Sequence, residues 1–176
     1  MRELHEIFHS GELKAQEKFN KTRNWNSRSI AGLNQMFKEA IDDEIAYIIE
    51  GQKYFFISTS NSSGECDCSF RGTESDESDN LLQSVFVESS KKLIFPDYSG
   101  NHIYNSLGNI LVNPNIGMLF IDFNTALRLR INGSAKIIES NISYKKIWPK
   151  SLRYIEVGVK QVYFNCPKRI KESVVV

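Results

Sequence analysis

Ser69 and Arg71 stand two apart on a segment of extended character, so a hydroxyl and a guanidinium share one face, and Gly72 follows them. Such a pair can grip phosphate through charge-assisted hydrogen bonds, and the glycine lets a ligand come close to the backbone. A second candidate begins where a strand ends in Phe95-Pro96. A polar turn there predicts a helix over about 101–112, with Asn101 as its cap and Ser106 and Asn109 sharing a face. Amides at the opening of a helix have no intrahelical partners and make a natural anion site. A third candidate is the alternation of Arg128 and Arg130 with Leu127, Leu129 and Ile131, which predicts a strand with one cationic and one apolar face. Together these residues suggest that a small β-barrel holds a phosphorylated cofactor at its edge.

Other chemistry finds less support. His5 and His9 are spaced i, i+4 but lack further ligands, and His102 stands apart, so no metal site is expected. Cys66 and Cys68 face the same way on a strand and only Cys166 remains, so all three are read as small packing residues. The run Glu74, Asp76, Glu77, Asp79 reads as a solvated loop that would disfavour anionic substrates if it bordered the site. No nucleophile elbow, P-loop or Rossmann fingerprint occurs.

The elements that must position these residues are legible in outline. A polar arm is expected over residues 1–27, and one domain over 28–176. A helix is expected from Arg28 to Ala40 behind Ser27, then a second from Asp42-Asp43 to Gly51. From Lys53 the pattern turns to strands: 53–60 with 65–71, 81–88 with 92–95, then 115–123, 126–138 and 153–164, with a polar connection before the last and a tail from Pro167. Six or seven strands with one inserted helix predict a mainly β protein, an antiparallel barrel whose closure removes most sheet edges. Basic and acidic residues number 22 and 21, which offers no global attraction for nucleic acid. No apolar run is long enough to span a bilayer, the start of the chain shows no secretory signal, and three cysteines suit a reducing cytoplasm.

Four blocks in order carry a family resemblance: YFFISTSNSSGECDCSFRG at 54–72, FPDYSGNHIYNSLGNILVNPNIGMLFIDF at 95–123, LRLRINGSAKI at 127–137 and VYFNCPK at 162–168. In these the chain resembles the pyridoxamine 5'-phosphate oxidase-like flavin-binding proteins, the FMN-binding split barrels. The resemblance implies a split barrel, FMN, a homodimer with the cofactor at its interface, and oxidoreductase activity on a small molecule. It implies cofactor contacts for Ser69, Arg71, Gly72, Pro96, Asn101, Ser106, Asn109, Arg128 and Arg130, with Arg128 reaching the partner's cofactor.

The chain also departs from that pattern. Asn101-His102 replace a basic pair usual near the helix start, which leaves Arg71 and Arg128 to supply the charge. A longer acidic loop replaces a short glycine-rich turn. The arginine- and tryptophan-rich C-terminal block that holds the vitamin substrate has no match, so the vitamin-synthesising oxidase itself is not expected. The rivals to a flavin enzyme are a non-enzymatic flavin carrier or sensor, and a related barrel that takes deazaflavin or haem.

Overall fold

Alternating apolar and polar residues from Tyr54 onward give each strand a core face and an outer face. The computed structural model describes residues 1–20 and 25–166. Within these, the strands are β1 (Tyr54–Ser60), β2 (Cys66–Gly72), β3 (Phe86–Ser89), β4 (Lys92–Asp97), β5 (Asn115–Asp122), β6 (Leu127–Ile138) and β7 (Arg153–Phe164). They form one seven-stranded sheet in the order β2-β1-β5-β6-β7-β4-β3, antiparallel throughout. The sheet does not close, because β2 and β3 remain edges; the fold is mainly β, a split barrel with flanking helices. Pro167 and Lys168, at the end of the last family block, lie outside the described residues.

The chain divides into two compact units, Met1–Lys38 and Glu39–Val176. The first holds α1 (Leu4–Ile7), α2 (Ser10–Phe19) and α3 (Ser27–Met36). Ile7, Phe8 and Leu33 form its small core, with Phe8 against Trp25 and Phe37. His9 caps α2 through Nδ1, 3.0 Å from the Gly11 amide. Asn26 rather than Ser27 caps α3, its side-chain oxygen accepting the Ser29 amide at 2.9 Å. That helix ends at Met36, short of the expected Ala40.

The second unit opens with α4 (Asp43–Glu50), capped by Asp42 as expected and burying Ile45 and Ile49. Its core combines these with Phe55, Ile57, Phe95, Met118, Phe120, Leu129, Ile131, Ile155 and Val157, the inward residues of six strands and helices. The inserted helix α5 (Asn105–Val112) packs Leu107 and Ile110 into the same core.

Further expectations need correction here. The strand expected over 81–88 is confined to Phe86–Ser89, because the Gln83 carbonyl accepts from Trp148 Nε1 at 2.6 Å instead of joining a ladder. The connection before β7 is not wholly irregular: it contains α6 (Ile142–Ile147), capped by Asn141. Tyr144 and Trp148, four apart, turn one face of this short helix into a second core with Ile94 and Tyr154. The cysteines also differ from expectation. All three are free and exposed: Cys66 and Cys68 lie on the uncovered outer face of β2, an edge strand, and Cys166 follows the end of β7.

β6 shifts register against β7 at Asn132/Gly133. A β-carbon at Gly133 would lie 2.4 Å from the Gly158 carbonyl oxygen, a backbone atom that cannot swing away. Gly133→Ala is therefore expected to destabilise the protein by about 1–3 kcal/mol. Gly108, within α5, has nothing within 4 Å of such a carbon. Gly108→Ala is expected to stabilise by about 0.5–1 kcal/mol, since alanine is the better helix former. Urea midpoints of the two variants should move in opposite directions.

α6 is also tied to the sheet by the Tyr144 hydroxyl, which donates to Glu88 at 2.5 Å. That hydrogen bond first, and Lys92 beside it, hold the Glu88 carboxyl below its ordinary range. Burial, then Glu88 itself, push the Tyr144 phenol up. A depressed carboxyl stabilises the fold above its unfolded pKa, and that contribution disappears as pH falls through the folded value. Glu88 is partly exposed, which weakens the effect. Tyr144→Phe is expected to lose about 1 kcal/mol at neutral pH. Denaturation curves taken towards acid should show the difference from the parent shrinking once Glu88 is protonated in both.

Candidate functional site

β1 and β2 pair with Phe55 opposite Arg71, Ile57 opposite Ser69 and Thr59 opposite Asp67. Opposed residues of an antiparallel pair point the same way. Phe55, Ile57 and Thr59 are buried inward, so Asp67, Ser69 and Arg71 also face inward. The sequence anticipated that Ser69 and Arg71 share a face; Asp67 joins them. Helix α5 begins above this row. Ser69 Oγ and Ser106 Oγ lie 3.0 Å apart, and the Ser106 hydroxyl donates a long bond, 3.4 Å, to Asp67.

The third contributor is β4. Asp97, only 6% exposed, ends that strand. Its Oδ1 lies 3.3 Å from Arg71 Nη1 and its Oδ2 lies 3.6 Å from Arg153 Nε. Asp97 is paired with Arg153 across β4 and β7, which explains the second contact. Arg153 also sits over the Tyr104 ring, 5.5 Å from its centroid. The Nε of Arg71 is buried and has no hydrogen-bond partner among the described residues.

The turn between β4 and α5 closes the site. Asn101 does not cap the helix. Its Oδ1 accepts the Ile103 amide at 3.1 Å in a local turn, while His102 and Tyr104 take left-handed φ values of 60° and 61°. Left-handed residues cannot sit inside an α-helix, so α5 starts at Asn105 rather than near 101. Tyr104 occupies the cap position and supplies no side-chain acceptor. The first-turn amides of α5 thus lack a side-chain cap where Asn105, Ser106 and Leu107 line the cavity. His102 Nδ1 and the Tyr104 hydroxyl are 3.2 Å apart.

These groups surround a cavity of about 450 Å³ whose lining includes Asp67, Ser69, Arg71, Asp97, Tyr98, Asn101, His102, Tyr104 and Ser106. The structure therefore gathers Ser69, Arg71, Asn101 and Ser106 from the expected set. It places the others elsewhere within one chain. Asn109 turns to β1, its amide donating to Thr59 Oγ1 at 3.0 Å. Gly72 faces the Phe70 ring, which a β-carbon there would meet at 3.1 Å. Pro96 is buried opposite Tyr154, beyond the part of β4 that pairs with β3.

Arg128 and Arg130 stand opposite Ile121 and Leu119 on the outer face of the sheet. Arg128 Nη2 donates to the Cys166 carbonyl at 2.6 Å, and Arg130 Nη1 donates to the Tyr163 hydroxyl at 3.3 Å. Neither lines the cavity. Sequence reasoning missed Asp97 and Arg153. The signal for them lies in the β4–β7 register, which no local motif reports.

The donor set suits an oxyanion: two hydroxyls, a guanidinium and open helix amides. Asp67 and Asp97 reduce its net positive charge.

A family model described as pyridoxamine 5'-phosphate oxidase matches residues 41–166. The chain belongs to that family. Among curated proteins no sequence matches significantly. Among solved structures, HupZ of group A Streptococcus superposes with a TM-score of 0.52 at 17% identity, over 70% of this chain and 93% of that one. A Lactobacillus delbrueckii protein described as a candidate pyridoxamine 5'-phosphate oxidase gives a TM-score of 0.53 at 14% identity, over 72% and 95%. At such identities the likeness is one of fold.

Asn109 tests the division of labour along α5. Its partner Thr59 is 2% exposed, so Asn109→Ala leaves a buried hydroxyl with one bond fewer. The expected cost is about 1–2 kcal/mol of stability. Ligand affinity of the folded variant should match the parent; a selective loss of affinity would put Asn109 in the site.

Proposed function

We propose that the protein binds FMN between β2 and the start of α5 and acts as an oxidoreductase on a small molecule. The observation that carries this reading is the convergence of Ser69, Arg71 and Ser106 on one cavity beneath uncapped helix amides. The cavity size falls within the range of small-molecule sites. When bound, the flavin supplies the redox chemistry. The residues of the chain would hold and orient it: the two serine hydroxyls and Arg71 would bind its phosphate, and the α5 amides would add their dipole. His102 and Tyr104 stand at the rim, where a substrate proton can be exchanged.

The outer face of the sheet supports a homodimer as part of the same proposal. Phe56, Leu119 and Ile121 lie there, with Phe70 60% exposed beside Tyr54 and Phe56. Arg128 and Arg130 share that face, from which they would reach a partner's cofactor. No helix among the described residues is long and apolar enough to cross a membrane. We place the protein in the cytoplasm, where its three free, exposed cysteines would stay reduced.

The test is the absorbance spectrum of the purified protein followed by titration. Flavin bands, with FMN bound more tightly than riboflavin, are expected. Arg71→Gln should weaken FMN by about ten- to a hundredfold, with riboflavin much less affected. An intense Soret band, or selective uptake of a deazaflavin, would replace FMN by another cofactor. Bound flavin without turnover of reduced nicotinamide would make the protein a carrier. Light scattering of the FMN-bound protein checks the dimer, and a monomer with flavin still bound would sink that part.

A further inference from the structure

Arg71 lines the cavity, Arg153 lines the neighbouring one, and one buried carboxylate engages both. Asp97 touches each arginine through a different oxygen, so it is shared rather than forked onto one of them. Arg71 gives it a single long contact through Nη1 and keeps its Nε unpartnered. Asp67, on the same strand face as Arg71, adds a second carboxylate to the lining. The cations at this end of the cavity are thus balanced by carboxylates before any ligand arrives.

We propose that Asp97 is a specificity-determining residue: a resident counter-ion that occupies the arginine pair in place of ligand phosphate and sets how strongly the site prefers a phosphorylated ligand over its neutral counterpart. This rests on the reading of the cavity as a flavin site. Two effects of Asp97 oppose each other. It holds Arg71 and Arg153 in place, which helps any ligand that uses them. It also repels a phosphate dianion a few ångströms away, and even at an effective dielectric of about 20 that repulsion exceeds a factor of ten in affinity. Orienting one arginine side chain is worth less than this. Repulsion therefore wins for a dianion and is absent for a neutral ligand. The preference of the native site for a phosphorylated ligand is therefore smaller than its donor set alone would give.

The experiment measures dissociation constants of FMN and riboflavin by flavin fluorescence for the parent, Asp97→Asn and Arg153→Met. Asn keeps the shape of Asp97 and removes its charge; Met keeps most of the bulk of Arg153 and leaves Asp97 to Arg71 alone. The expected result is that Asp97→Asn raises the preference for FMN over riboflavin by about tenfold or more, and that Arg153→Met lowers it. An unchanged ratio in Asp97→Asn, or equal weakening of both ligands, overturns the proposal and leaves Asp97 as a brace. If Asp97→Asn does not fold, Arg153→Met decides by the direction of its ratio. If neither flavin binds the parent, the flavin reading falls. Inorganic phosphate then tests Asp97 separately. Greater protection of Asp97→Asn than of the parent against thermal unfolding supports the proposal, and equal protection overturns it.

Discussion

The seam between α5 and the first two strands governs the rest of this structure. An eight-residue helix has little stability of its own, so it persists here because Leu107 and Ile110 are buried in the barrel core. Burial alone would let the helix slide or rotate. Polar ties remove that freedom: Ser106 to Ser69, Asn109 to Thr59 and Asn113 to Ser60, the last at 2.9 Å. The ties step along the helix as the strand partners step along β1 and β2. The first of them is also the floor of the cavity, so the same packing that completes the core fixes the serine pair.

The turn before the helix shows how the site is bounded. His102 and Tyr104 occupy a left-handed conformation that non-glycine residues disfavour. The surrounding structure holds them there: Asn101 bonds the Ile103 amide, and Arg153 covers the Tyr104 ring. The consequence is a helix that begins abruptly, without a side chain over its first amides. Strained backbone, an open helix end and an ion pair thus meet at this end of the barrel.

Much of this was legible in the sequence, and the division is physical. Alternation revealed β1, β5, β6 and β7 because each has a buried face, the turn at 61–64 revealed β2 as the return strand of β1, and the same period placed Ser69 beside Arg71 and Arg130 opposite the core. The helix after FPDYSG was legible through Ser106, Asn109 and the Asn113-Pro114 stop. Its start was misplaced because Asn101 forms a turn that looks like a cap in sequence. Helix α6 was overlooked because its apolar face is short, marked by Tyr144, Ile147 and Trp148, although Asn141 supplied an ordinary cap signal. Asp97 could not be recognised, since its meaning depends on Arg153 across a strand pairing distant in sequence. Local pattern reports faces and caps; it does not report which charges a sheet brings together.

The two tryptophans are divided between the two compact units. Trp25 belongs to the small helical unit, packed beside Phe8, whereas Trp148 is fully buried in the barrel unit with its indole N–H held by the Gln83 carbonyl. The chain thus carries one intrinsic fluorophore per unit, in environments of different polarity and constraint. Emission from a Trp25→Phe protein would follow the melting of the barrel alone, and emission from a Trp148→Phe protein that of the helical unit. Whether the two units lose structure in one cooperative step is therefore readable without any added label.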